Sequence, residues 1–234
     1  MDNPDVGTII LKRLGNVEGT TISMTSLAAP KDAKKAYDKG REALRKKKWD
    51  EARAQLEKAV AAYPKYATAW YELGTVYEQG KQMDEARKAY GESLNADAKF
   101  VNPYLRLAAI AASERKWQDV ADTTDRVVRL NPLDFPMAFF YNAVANYNLQ
   151  KMDAAEKSAR EVVKMDGRHQ LPRASHLLGI ILAQKQDLSG AREHMSNYVK
   201  FAPNAPDIDS VKQDLAKIEK MLGATASTAA PQQQ

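Results

Sequence analysis

Among the 234 residues there is no cysteine, which excludes disulfides, thiolate metal sites and cysteine nucleophiles together. It leaves the redox compartment open. Long apolar runs are missing too: nothing approaches the roughly 18 to 20 uninterrupted apolar residues that a membrane helix needs, so no span is expected. Histidine is scarce. His169, His176 and His194 are never three or four residues apart and no HExxH occurs, so neither zinc nor any other metal is expected. The phosphate-cradling patterns GxGxxG and GxxxxGK[ST] are absent, and Gly15 with Gly19 bounds a loop. Acidic pairs such as Asp84 and Glu85 fall where helices are expected to start and suit the helix dipole. With no marked nucleophile, metal site or phosphate cradle, the sequence predicts neither catalysis nor a cofactor.

What is present has the balance of a globular protein, 44% apolar and 28% charged. The net charge of +5 is concentrated: between Lys31 and Lys48 nine basic residues face Asp32, Asp38 and Glu42, giving +6 and leaving −1 for the remainder. The simplest reading sets Lys46, Lys47 and Lys48 at the end of a first helix, where cations favour the dipole. The other reading is docking on an acidic partner or an anionic lipid surface.

Two short helices with a turn between them are legible around Ala67–Ala98. Trp70, Leu73, Gly74 and Tyr77 form one stripe at helical spacing, and Ala86, Tyr90, Ser93 and Leu94 form a second after a break at Gly80 to Met83. Neither is long enough to persist alone in water, so each must pack on neighbours. The pattern recurs. Trp49, Met83 and Trp117 are 34 apart, with Met152 at 35 and Leu188 at 36 beyond. Each is followed by Asp50, Asp84, Gln118, Asp153 or Ser189, four of which suit an N-cap. Small residues recur in first helices at Gly40, Gly74, Ala108, Ala143 and Gly179, and in second helices at Ala52, Ala86, Ala155 and Ala191, with Val120 the exception.

These residues resemble the tetratricopeptide repeat, a 34-residue helix-turn-helix unit. The resemblance implies an all-α superhelical solenoid of five hairpins over 31–205, with repeats at 33–66, 67–100, 101–134, 136–169 and 172–205. Repeat three is the most degenerate, with Val120 and Thr124 replacing the expected small and large residues. Extra residues enter at Phe135–Pro136 and near Gln170 and Leu171, in turns between units. Ile208, Val211, Leu215, Ile218 and Leu222 mark a one-sided capping helix within 206–223, ended by Gly223. Residues 224–234 read as a disordered tail.

The first thirty residues stand outside the pattern. Thr8–Leu14 and Thr20–Leu27 are rich in β-branched residues and flank GNVEG, which reads as a β-hairpin. They resemble the last strands of a carboxypeptidase-regulatory-like β-domain, which would make the chain part of a larger envelope or periplasmic protein. No signal-peptide pattern stands at the amino terminus, and without such a β-domain the expected location is the cytoplasm.

In the resembled family the first helices line a concave face that holds a protein segment. Carried onto this sequence, the partner-binding residues are Tyr37, Arg41, Tyr71, Arg106, Phe140, Tyr147, Arg173 and His176, aromatics and arginines of the kind enriched at interfaces. Phe140 and Tyr147, seven apart on one face, stand out. A clamp for a terminal carboxylate is not expected: of Tyr37, Arg41, Glu72, Asn102 and Arg106 at its positions only Arg106 matches, and Glu72 would repel the ligand. The expected function is therefore a non-enzymatic scaffold for a protein or peptide partner. Alternatives are an RNA-binding or other nucleic-acid-binding helical repeat and self-association through strands 8–27.

Overall fold

The structure is a computed structural model and describes residues 19–228. After a short helix α1 (Met24–Leu27), five antiparallel hairpins follow one another: α2 (Lys31–Arg45) with α3 (Trp49–Ala62), α4 (Ala67–Gln79) with α5 (Met83–Ala96), α6 (Val101–Ser113) with α7 (Trp117–Leu130), α8 (Pro136–Asn148) with α9 (Met152–Met165), and α10 (Pro172–Gln184) with α11 (Leu188–Phe201). A longer helix α12 (Ile208–Thr228) lies against α11. Each second helix packs on its own first helix and on the first helix of the next unit, so the core is a chain of linked clusters rather than one centre.

The hairpin turns share one backbone solution. Lys47, Lys81, Arg115, Gln150 and Gln186 all adopt positive φ, between 56° and 66°. The residue after each donates its N–H five positions back, as from Lys48 to the Ala43 carbonyl and from Gln82 to the Tyr77 carbonyl, both at 2.9 Å. This is a Schellman ending built without glycine, so each turn carries a strain that glycine would relieve.

The same turn displaces the expected N-caps. Each second helix begins at the apolar residue itself, so Asp50, Asp84 and Asp153 lie inside the first turn behind caps Lys48, Gln82 and Lys151. There they still favour the helix dipole, and Asp50 and Asp84 pair with Arg53 and Arg87 three residues on. In the fifth hairpin the cap is Asp187, not Ser189; its carboxylate accepts the Gly190 N–H at 2.9 Å.

Helix pairing depends on matched volumes. A Cβ on Gly40 would lie 2.9 Å from Leu56 Cγ, on Gly74 2.5 Å from Tyr90 Cε1, and on Gly179 2.8 Å from Met195 Cγ. Where the first helix carries alanine instead, at Ala108 and Ala143, the corresponding second-helix residues shrink to Thr124 and Ala159. Large partners sit over glycine and small ones over alanine, which keeps the helix spacing constant.

The third and fourth hairpins meet through a buried polar network. Asn142 Nδ2 donates to Thr124 Oγ1 at 3.0 Å and Asp125 Oδ1 at 2.7 Å. Its Oδ1 accepts from Ser158 Oγ at 2.7 Å and Asn146 Nδ2 at 2.9 Å. Thr124 and Asn146 are thus joined through Asn142.

The amino-terminal expectation fails where it can be seen. Thr20–Leu27 is no strand of a β-domain: Thr20 makes a single parallel bridge to Phe100, and Ser23 caps the turn of α1. Thr8–Leu14, the other half of the expected hairpin, lies outside the described residues. The remnant of a carboxypeptidase-regulatory-like domain therefore finds no support. Instead, residues 19–29 form a strap across the turns between units, running against the order of the repeats. Gly19 meets Leu130 and Asn131, Ser23 and Met24 meet Asp97, and Thr25 and Ser26 meet Tyr63 and Thr68. Tyr63, Asp97 and Asn131 are the C-caps of three successive second helices, so the repeat itself sets the strap's register. The fourth such residue, Asp166, is occupied by the N–H groups of Gln170 and Leu171 in the enlarged turn.

Helix α12 also departs from expectation, running through Gly223 to Thr228. Gly223 here has open space around it, so it packs on nothing and does not end the helix. Val211 and Ile218 are buried from its apolar stripe, with Ile208, Leu215 and Leu222 partly covered.

Candidate protein-binding groove

The first helices lie side by side, α6 touching α8 and α8 touching α10. Their common face carries the candidate residues, divided among four places.

Tyr71 and Arg106 come together. With Asn102, Leu105, Ala109, Met137 and Tyr141 they line one depression of about 340 Å³ built by α4, α6 and α8. Arg106 is not a free cation: its Nε lies 3.1 Å from Glu78 Oε2 and its Nη2 2.5 Å from Oε1, while the Tyr90 hydroxyl donates to the same carboxylate at 2.8 Å. This two-pronged pairing fixes the guanidinium as part of the wall. Asn102 and the Tyr71 and Tyr141 hydroxyls make no hydrogen bond within the described protein. Burial pushes the Tyr71 phenol up, so it stays a neutral donor and acceptor.

Tyr37 and Arg41 belong to a second cleft of about 420 Å³, which they share with Lys34, Asp38, Tyr66 and Thr68 on one side and Ile22, Ser23, Ser26 and Leu27 of the strap on the other. The Arg41 guanidinium lies over the Tyr37 ring at 5.8 Å, and the Tyr37 and Tyr66 rings are 4.9 Å apart. Burial pushes the Tyr66 phenol up to about 12. Nearby Glu72 is held above the usual carboxylate range by burial, with Arg41 opposing.

Phe140 and Tyr147 are more engaged than expected. Phe140 is half-buried, its ring centre 6.1 Å from that of Tyr141, and it packs against the cluster that includes Val163 and Leu171. Tyr147 packs on the cluster around α10 and accepts a 2.8 Å hydrogen bond from Gln184 Nε2. Inter-helix packing thus claims part of each.

Arg173 and His176 stand at the far end, where α10 meets α12. The His176 ring stacks on Tyr198 at 4.6 Å, and its Nδ1 is 3.5 Å from Asp207 Oδ2. Burial pushes the imidazole down, with Asp207 and Asp214 opposing. The Tyr198 hydroxyl donates to Asp207 at 2.5 Å. Burial pushes the Tyr198 phenol up to about 12, Asp207 adding to this and Arg173 opposing it. His176 thus faces Tyr198 of α11 and Asp207, the residue before α12.

The strap wall and Tyr66 were not legible from the family's groove positions. The visible signal was the recurrence of the polar C-caps Asp97 and Asn131 at 34 residues.

The architecture is that of an open helical-repeat solenoid with a groove along its first helices. A tetratricopeptide-repeat profile matches residues 37–99 and 142–206, more than half of the chain. The protein belongs to the tetratricopeptide-repeat family. The unmatched stretch between contains the hairpin with Val120 and Thr124. No curated protein matches the sequence. Among solved structures, YrrB, described as a TPR protein with an unusual peptide-binding site, superposes with a TM-score of 0.67 at 21% identity, covering 78% of this chain and 92% of its own. PilF of Pseudomonas aeruginosa gives 0.67 at 16% identity over 84% and 88%. A MamA protein gives 0.63 at 16% over 73% and 91%. At these identities the likeness concerns the fold.

Proposed function

We propose that the protein is a non-enzymatic scaffold holding a segment of a partner protein along the first-helix groove. The observation that carries this is the depression lined by Tyr71, Asn102, Leu105, Met137 and Tyr141 from three successive repeats. It offers aromatic and aliphatic surface beside hydrogen-bonding groups that the chain leaves unused, the composition of an interface centre. The resemblance to YrrB, a TPR protein with a peptide-binding site, points the same way. A preformed groove spends little ordering entropy on binding. A polyanion suits this face poorly, because Arg106 is paired with Glu78 and Arg41 has Asp38 and Glu72 as neighbours.

The test is capture of partners from native lysate with the intact chain and with Tyr71→Ser/Tyr141→Ser. Recovery should fall at least about tenfold while the thermal melt is retained. Unchanged recovery would defeat the assignment.

A further inference from the structure

The strap is folded with its polarity reversed. Its two serines point inward: Ser23 is fully buried and bonded to Asp97, and Ser26 is 8% exposed and accepts the Thr68 N–H. Its large hydrocarbon side chains point outward, with Ile22 64%, Met24 68% and Leu27 60% exposed. The hydrophobic effect acting within this chain would favour the opposite arrangement. Three large apolar side chains displayed on one short, firmly bonded segment mark an interaction surface.

The strap adjoins the most basic part of the molecule. Lys34 Nζ donates to the Leu27 carbonyl at 3.0 Å, and Ile22 and Leu27 share a cleft with Lys34 and Arg41. On α2, Lys31, Lys35 and Lys39 recur every four residues, all exposed and none in an ion pair. Of the +6 on residues 31–48, Lys46 and Lys48 pair with Glu42 and Glu51 at the far end of α2, so it is the start of the helix, with Lys31, Lys34 and Lys35, that stands beside the apolar ridge.

We infer that this end of the solenoid docks peripherally on an anionic lipid surface, with Ile22, Met24 and Leu27 entering the boundary of the acyl chains and Lys31, Lys35 and Lys39 facing the headgroups. Neither feature suffices by itself. Three short side chains bury too little to hold a protein on a neutral bilayer, and lysines alone would bind any polyanion. Together they select a surface that is both apolar and negative. No helix of the described residues is long and apolar enough to cross a membrane. This docking uses the strap wall of the Tyr37 cleft and leaves the depression lined by Tyr71 and Tyr141 open.

The test is co-sedimentation of the full chain with phosphatidylcholine vesicles and with vesicles containing about 30% phosphatidylglycerol, over a salt series. Binding is expected on the anionic vesicles alone and should weaken as salt rises. Lys31→Glu/Lys35→Glu/Lys39→Glu should lower the affinity by at least about 100-fold. Ile22→Ser/Leu27→Ser should also lower it at low salt, with the circular dichroism melt of each variant unchanged. The inference is overturned by equal binding to neutral and anionic vesicles, by no effect of the serine pair, or by tighter binding to duplex DNA or RNA than to vesicles at the same salt. Apolar variants that convert a dimer to a monomer without changing vesicle binding would assign the ridge to a second copy of the chain and likewise refute it.

Discussion

Gly74 lies so close beneath the ring of Tyr90 that a Cβ there would stand 2.5 Å from Cε1 and 2.7 Å from Cδ1. The ring is fully buried and its hydroxyl is tied to Glu78, so it cannot swing aside. Gly74→Ala should therefore destabilise the protein by about 2 kcal/mol in urea unfolding. Adding it to Tyr90→Thr, which copies the Ala108 and Thr124 pair, should cost far less than in the wild-type background. Additive effects would mean that matched volume does not set the helix spacing.

Arg115 holds φ at 58° in the turn between α6 and α7, and its side chain makes no ion pair. Arg115→Gly should stabilise by about 0.5 to 1 kcal/mol, because relief of left-handed strain outweighs the entropy glycine gains on unfolding. Arg115→Ala should give no such gain, and the shift in urea midpoint separates the two.

Asn142 satisfies Thr124, Asn146 and Ser158 together. Asn142→Leu leaves the buried Ser158 hydroxyl without its acceptor and removes one bond each from Thr124, Asp125 and Asn146, and should cost about 3 kcal/mol. Contacts in a repeat array are between neighbours. Hydrogen exchange should therefore quicken first in α6 to α9, with α2 to α5 less affected.

Burial pushes both His176 and His194 down from 6.5, against neighbouring carboxylates, and His194 Nδ1 is buried without a hydrogen-bond partner. The unfolded chain then binds protons at these sites more readily than the folded one. Their contribution to stability is complete above about pH 6.5 and is lost as pH falls from there through the lowered folded values. Urea midpoints measured between pH 7.5 and 5 should decline, and His176→Gln/His194→Gln should flatten that slope. A slope unchanged by the double substitution would place its origin elsewhere.

The hairpins were legible because their physics is local and repeated. Gly40, Gly74 and Gly179 need close helix approach, and Trp49, Met83 and Trp117 recur where a second helix begins. The strap was not, because Thr20–Leu27 has the β-branched content of a strand, while its actual bonds run to Asp97 and Tyr63, tens of residues away. Local pattern carries no trace of such partners. The groove was legible as a face but not as chemistry. Arg106 and His176 were expected to face a partner, but Arg106 is paired with Glu78 one repeat earlier and His176 stacks on Tyr198 beside Asp207. N-caps were displaced by two residues because the left-handed turn residue, invisible in the apolar stripe, determines where the next helix starts.

The most direct test is site-specific photo-crosslinking in the native host, with the reactive residue at Met137 in the groove or at exposed Lys88 on α5. Crosslinks to a partner polypeptide from position 137, abolished by Tyr71→Ser/Tyr141→Ser and absent from position 88, are the predicted result. Equal crosslinking from both positions, or a partner captured from position 88 alone, would contradict the groove as the working surface.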